Sequence, residues 1–211
     1  MRLRREAARA AAVDARVCLV GCVHARSLLD VRVVAGELRG RRIEAPRSDA
    51  TRPTTDKVRE AVFNALGSLD VVDGARVLDL FAGTGAMGIE ALSRGALHCT
   101  FVESDREALS VLRTNLRTLG LEDRSTVVAS DATRAASSIR DIDLLIADPP
   151  YGWTAWADLV AGTTADFVVL ESGRDVGPVE GWETVREKRY GRTHVSFLRP
   201  AAHGNGTVGG E

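Results

Sequence analysis

Apolar positions along this chain change period several times, and each change marks an element. From Val31 the runs VRVVAG, ELRG and RRIEAP read as two short strands joined by a glycine-containing turn. After a stretch rich in Ser, Asp, Thr and Pro, TTDKVREAVFNALGSL places Val58, Val62, Phe63, Leu66 and Leu69 at helical spacing. Thr54 or Thr55 is the candidate N-cap of this helix, which should end near Gly67. Beyond it, apolar runs of strand length alternate with helix-like segments, the pattern of an α/β fold with a mostly parallel, doubly wound sheet. Strands are expected at 76–80, 99–102, 126–129, 143–147 and 167–171, and helices at 87–94, 106–119, 132–139 and 155–161. TVREKRYGRTHVSFLRP reads as two strands around Gly191, so the sheet should close in an antiparallel hairpin.

The chain divides accordingly. Residues 1–29 carry no placeable pattern and are expected to be disordered or helical. Residues 30–70 form a small basic hairpin and helix, residues 71–200 an α/β domain, and the Gly-rich tail 201–211 is expected to be disordered. A length of 211 residues with 45% hydrophobic content suits one such domain with a small attachment. No internal repeat is evident.

Charge sharpens this picture. Residues 1–60 hold 14 of the 28 Lys and Arg but 8 of the 29 Asp and Glu, which makes that segment +6 and the remainder −7. A basic arm on an acidic body suggests contact with phosphates, through Arg32, Arg39, Arg41 and Arg42 of the hairpin; a solvated arginine-rich surface is the plainer reading. The apolar stretch 17–23 falls far short of the roughly 20 residues a membrane helix needs. Cys18, Cys22 and Cys99, an odd set without a secretion signal, point to reduced thiols in the cytoplasm. Cys18, Cys22 and His24 have no fourth partner at zinc spacing, so no metal is expected.

The candidate chemistry begins where the first sheet strand runs into DLFAGTGAMG. Gly83, Gly85 and Gly88 match G-x-G-x-x-G, a pattern shared by several cofactor folds. Asp79 puts a carboxylate near this turn, where it would repel a pyrophosphate and suit a cation. Glu103, 15 residues beyond Gly88, stands where a carboxylate can accept both hydroxyls of a ribose, and Asp131 where one can accept an adenine amine. Each acid alone reads equally well as the cap of a following helix. In series with the glycines they favour a cofactor site, and Asp79 suits S-adenosylmethionine, which carries a sulfonium and an ammonium and no phosphate.

The next strand ends in Ala147-Asp148-Pro149-Pro150-Tyr151. Two prolines remove two backbone donors and hold the chain extended. The Asp148 carboxylate and the Pro149 carbonyl can then accept both hydrogens of an exocyclic base amine, whose lone pair is delocalised into its ring. Tyr151 offers an aromatic face to an extruded base. A turn with Tyr151 packed in the core is the plainer alternative. There is no nucleophile elbow, no P-loop lysine and no His pair at metal spacing. His98, His194 and Cys99 lie in strand-like runs and read as structural.

With RVVAGELRGRRIEAP, TRPTTDKVREAVFNAL, LDLFAGTGAMGIEALSRGA, FVESDREAL and ADPPY in this order, the chain resembles the bacterial 16S rRNA guanine-N2 methyltransferase family called RsmD, over about residues 31–199. The resemblance implies a class I, Rossmann-like methyltransferase. Its cofactor would be S-adenosylmethionine, and its substrate the N2 amine of one guanine in 16S rRNA, on an assembled or partly assembled small subunit. It implies cofactor contacts by Asp79, Phe81, Gly83, Gly85, Glu103, Asp131 and Ala132, and a target base held by Asp148, Pro149 and Tyr151. It also implies RNA docking by Arg39, Arg41, Arg42, Arg52, Thr54 and Lys57. Residues 1–29 precede the similar stretch, and the segment after Tyr151 is short. A monomer is expected, since no apolar surface stripe stands out. The rival readings are an amino-methyltransferase acting on adenine N6 or a protein glutamine, a nicotinamide oxidoreductase, and a non-catalytic RNA-binding relative.

Overall fold

Alternate residues of each central strand face two different helical layers, and this alternation builds the molecule. The computed structural model describes residues 31–45, 56–150 and 152–202. In chain order the elements are β1 (Val31–Arg32), β2 (Arg42–Ile43), α1 (Asp56–Ser68), β3 (Arg76–Leu80), α2 (Ala86–Ser93), β4 (His98–Glu103), α3 (Arg106–Leu119), β5 (Ser125–Ala129), α4 (Ala132–Ser138), β6 (Leu144–Ala147), α5 (Trp156–Ala161), β7 (Phe167–Ser172), β8 (Trp182–Tyr190) and β9 (Thr193–Pro200). A seven-stranded sheet runs β5-β4-β3-β6-β7-β9-β8. The first five strands pair in parallel; β9 runs antiparallel to β7 and β8. The mostly parallel sheet and its closing hairpin are those expected from the hydrophobic pattern.

Val77, Cys99, Phe101, Leu144, Ile146, Val169, Val195 and Phe197 point to one face, where they pack with α1, α2, α3 and the β1–β2 hairpin. Leu78, Leu80, Val102, Leu145, Ala147, Val168, Leu170 and Leu198 point to the other, covered by α4 and α5. α3 spans the stretch its periodicity predicts. The Asp105 carboxylate accepts from the Ala108 N–H at its start, and Gly120 adopts φ 70° at its end. Both are ordinary terminators of a helix.

The eight residues of α2 are all buried, because the hairpin and α1 lie outside it. Their attachment is polar. Glu90 of α2, fully buried, accepts from the Val34 N–H at 2.7 Å and the Ala35 N–H at 3.0 Å, and pairs with Arg94 Nε at 2.7 Å. The buried Arg59 of α1 pairs with the same carboxylate at 3.6 Å and also donates to the Arg32 carbonyl and to Asp56. Asn115 of α3 accepts from the Glu44 N–H and donates to the Glu44 and Thr84 carbonyls. It thereby ties the exit of the hairpin to the glycine turn.

At the hairpin's tip Glu37 N–H donates to the Ser93 carbonyl, and a Cβ on Gly36 would overlap that carbonyl. Arg41 donates to the Thr118 carbonyl at the last turn of α3. The tip therefore sits at the C-terminal ends of α2 and α3, on the edge of the sheet away from the glycine turn.

Candidate active site

On either side of β3 the chain winds in opposite directions, to β4 and β5 on one side and to β6 and β7 on the other. Open α/β sheets bind ligands at the carboxyl ends of strands at such a switch point. Of the residues singled out from the sequence, Asp79, Phe81, Gly83, Gly85, Glu103, Asp131, Ala132 and Asp148 lie in or just beyond the ends of β3, β4, β5 and β6. β3 ends at Leu80 and turns through Phe81, Gly83 and Gly85, with φ of 59°, 54° and 83°. Glycine takes such angles without strain, whereas Phe81 takes them at a cost of roughly 1–2 kcal/mol. Its ring stands edge-on to Trp153, 5.5 Å between centroids, and Trp153 edge-on to Trp156 at 4.7 Å. Trp153 and Trp156, just past the Asp148-Pro149-Pro150 turn, were not singled out from the sequence.

The acids have definite partners. Asp79 is buried one residue inside β3, and its Oδ2 accepts from the Gly88 N–H at 2.8 Å. It thus supplies the side-chain acceptor that Gly85, at the N-terminus of α2, lacks. Gly88 itself is a packing glycine, since a Cβ there would lie 2.3 Å from the Phe101 ring. Glu103 accepts from the N–H groups of Gly83 (2.8 Å), Ser104 (2.7 Å) and Asp105 (2.8 Å), locking the glycine turn to the end of β4. Asp131 caps α4 through the Arg134 N–H at 3.0 Å, and Ala132 is the buried first residue of that helix.

Burial pushes the Asp79 carboxyl up to about 7, against the Gly88 hydrogen bond that lowers it; the charges of Asp148 and Glu103 raise it further. Three carboxylates therefore share one field. A pyrophosphate would be repelled there, and a cation would be held. Burial also raises the Cys99 thiol well above its ordinary value, which disarms it as a nucleophile. His98 hydrogen-bonds Thr126 Oγ1 at 2.9 Å between strands, and His194 is a ladder residue of β9.

The raised Asp79 has a sign that can be measured. A carboxyl whose folded value lies above its unfolded one gives stability that is full below about pH 4 and is lost as pH rises through about 7. The ligand-free protein should lose up to about 4 kcal/mol between those limits. Denaturant melts across pH should show this fall, and Asp79→Asn, which can still accept from Gly88, should flatten it.

Lys57 is exposed at the start of α1; Arg39, Arg41 and Arg42 lie in or beside the hairpin turn, away from the acids. Arg52, Thr54 and Tyr151, like Cys18, Cys22, His24 and the candidate caps Thr54 and Thr55, lie outside the described residues. Glu90, Arg59 and Asn115, which fix the hairpin, were missed. The available signal was a charged residue inside the otherwise apolar AMGIEAL, and polar residues on the apolar stripes of α1 and α3. Among the described residues no group of His, Cys, Asp or Glu could hold a metal ion, and no helix is long and apolar enough to cross a membrane.

Residues 31–199 match the family model described as conserved hypothetical protein 95. The chain is 40% identical over 188 residues to a Bacillus subtilis protein named "Putative rRNA methyltransferase YlbH", covering 80% of this chain and 98% of that one. It is 33% identical over 189 residues to ribosomal RNA small subunit methyltransferase D of Escherichia coli K12, covering 82% and 92%. Among solved structures, the Escherichia coli protein titled "Putative methyltransferase yhhF" superposes with a TM-score of 0.72 at 35% identity, covering 82% of this chain and 99% of that one. The fold is that of class I methyltransferases, and the chain belongs to the RsmD-type methyltransferase family.

Proposed function

We propose that this protein transfers a methyl group from S-adenosylmethionine to the exocyclic N2 amine of one guanine in 16S rRNA, acting as a monomer in the cytoplasm on a small subunit or its assembly intermediate. The observation that carries the reading is the meeting of Asp79, Glu103 and Asp148 at the switch point, in a chain whose relatives are named as small-subunit rRNA methyltransferases. The donor set fits the cofactor. The carboxylates of Asp79 and Glu103 would balance the cofactor's positive charge, and Phe81 and the backbone of Gly83 and Gly85 would border it. Glu103, which already accepts from three N–H groups, keeps one lone pair on Oε2 for a ribose hydroxyl, and Asp131, with Oδ1 engaged in capping, has Oδ2 for the adenine amine. Ala132 would pack beside the adenine.

When bound, S-adenosylmethionine supplies a methyl group made electrophilic by its sulfonium. The protein's part is to present the amine. The Asp148 carboxylate and the Pro149 carbonyl would accept its two hydrogens, drawing the lone pair out of conjugation and towards the methyl. Such catalysis rests on positioning and on charges set in advance. Tyr151 would stack on the extruded guanine. Arg39, Arg41, Arg42, Arg52, Thr54 and Lys57 would hold RNA phosphates, contacts that give affinity and register without reading sequence. The same grip on both amine hydrogens would serve adenine N6 or a glutamine amide, so the basic hairpin is what favours RNA. Nucleoside analysis of 16S rRNA from cells with and without the protein tests the reading: N2-methylguanosine should fall by one residue per subunit, and an unchanged content would reject it.

A further inference from the structure

The hairpin arginines and the catalytic acids lie at opposite ends of the molecule, and one surface joins them. α3 begins just beyond Glu103, whose carboxylate accepts from the Asp105 N–H, and ends where Arg41 donates to Thr118. Its 14 residues span roughly 21 Å. Positions 106, 110, 113 and 117 fall on one face of a helix, at spacings of four, three and four. In this chain they are Arg106, Ser110, Arg113 and Arg117, all exposed. The buried face of Ala108, Leu109, Leu112, Asn115, Leu116 and Leu119 lies away from them.

Among the described residues Arg106 and Arg113 have no ion pair, and Arg117 has a loose, exposed one with Glu122 at 3.6 Å. Nearby acids do not neutralise the row: Asp105 is engaged as the helix cap, and Glu107 stands about a quarter turn away. Three arginines in line are poor helix-stabilising charges for one another. They match a polyanion laid along the helix.

We infer that the outer face of α3, through Arg106, Arg113 and Arg117, carries the RNA backbone between the hairpin and the catalytic edge. The inference rests on the RNA substrate proposed above and adds the path the strand takes.

The test compares Arg106→Gln/Arg113→Gln with the unaltered protein and with Arg134→Gln/Arg140→Gln, the same charge change on the α4 layer. Glutamine keeps helix propensity. Binding to a 16S rRNA transcript is followed against salt, and S-adenosylmethionine binding by calorimetry confirms that each variant is folded. The α3 variant should lose about 1.4–1.8 from the slope of log affinity against log salt, with cofactor binding unchanged. The α4 variant should match the unaltered protein. Equal slopes for all three, or equal losses in both variants, would overturn the α3 track and leave the RNA substrate standing. No salt-dependent binding by the unaltered protein would overturn both.

Discussion

Asp148→Ala should reduce methyl transfer by a factor on the order of 10²–10³, the range seen when one pre-set electrostatic partner of a reacting group is removed, while cofactor affinity changes little. β6 delivers Ala147 to the sheet edge beside Leu80, and Pro149 and Pro150 keep the chain from entering a helix, so the Asp148 carboxylate stays at the switch point. There it bears on Asp79 through charge. Asp148→Asn retains one acceptor oxygen and should lose less. Either substitution removes a charge that raises Asp79, so the pH at which stability falls should move to lower values. Single-turnover kinetics with calorimetric cofactor titration separates the effects. Unchanged turnover in Asp148→Ala would remove the proposed role.

Glu90→Ala should be the most destabilising single change considered. The carboxylate is fully buried and meets two N–H groups of the hairpin together with Arg94 and the buried Arg59. Removing it leaves Arg59 without its buried counter-charge and the Val34 and Ala35 amides without an acceptor. Breaking one side of such a pair costs about 3–5 kcal/mol, which in a protein of this size lowers the melting temperature by roughly 6–20 °C. Replacing Arg59 by Met in the same background should recover part of the loss, because an apolar pair needs no partner. Thermal melts followed by circular dichroism check both. A melting temperature within 2 °C of the unaltered protein would show that the cluster does not hold the hairpin.

The sequence was readable where the determinants are local. α3 could be delimited from its start at Arg106 to Leu119, because a capping Asp105, a steady apolar stripe and Gly120 all lie within it or beside it. The strands were readable from continuous apolar runs, and the last two from Gly191, whose φ is 63°. The ends of helices and strands drifted by a residue or so, as at Asp143, which pairs with Arg76 just before the start of β6. Long-range polar contacts were not readable. Nothing in AMGIEAL says that its glutamate will meet amides 55 and 56 positions earlier. The three acids were legible as a series, and Asp79 and Asp131 do bond the first turns of α2 and α4, as the capping alternative had it; the hold of Glu103 on the glycine turn was not legible. Nor did the basic hairpin disclose its place at the far ends of α2 and α3, which only the folded chain reveals.

Purified protein incubated with labelled S-adenosylmethionine and small ribosomal subunits from cells lacking it, followed by digestion of the rRNA to nucleosides, should yield about one label per subunit, in N2-methylguanosine. Label in another nucleoside or in ribosomal protein, or none despite cofactor binding, would contradict the proposed reaction.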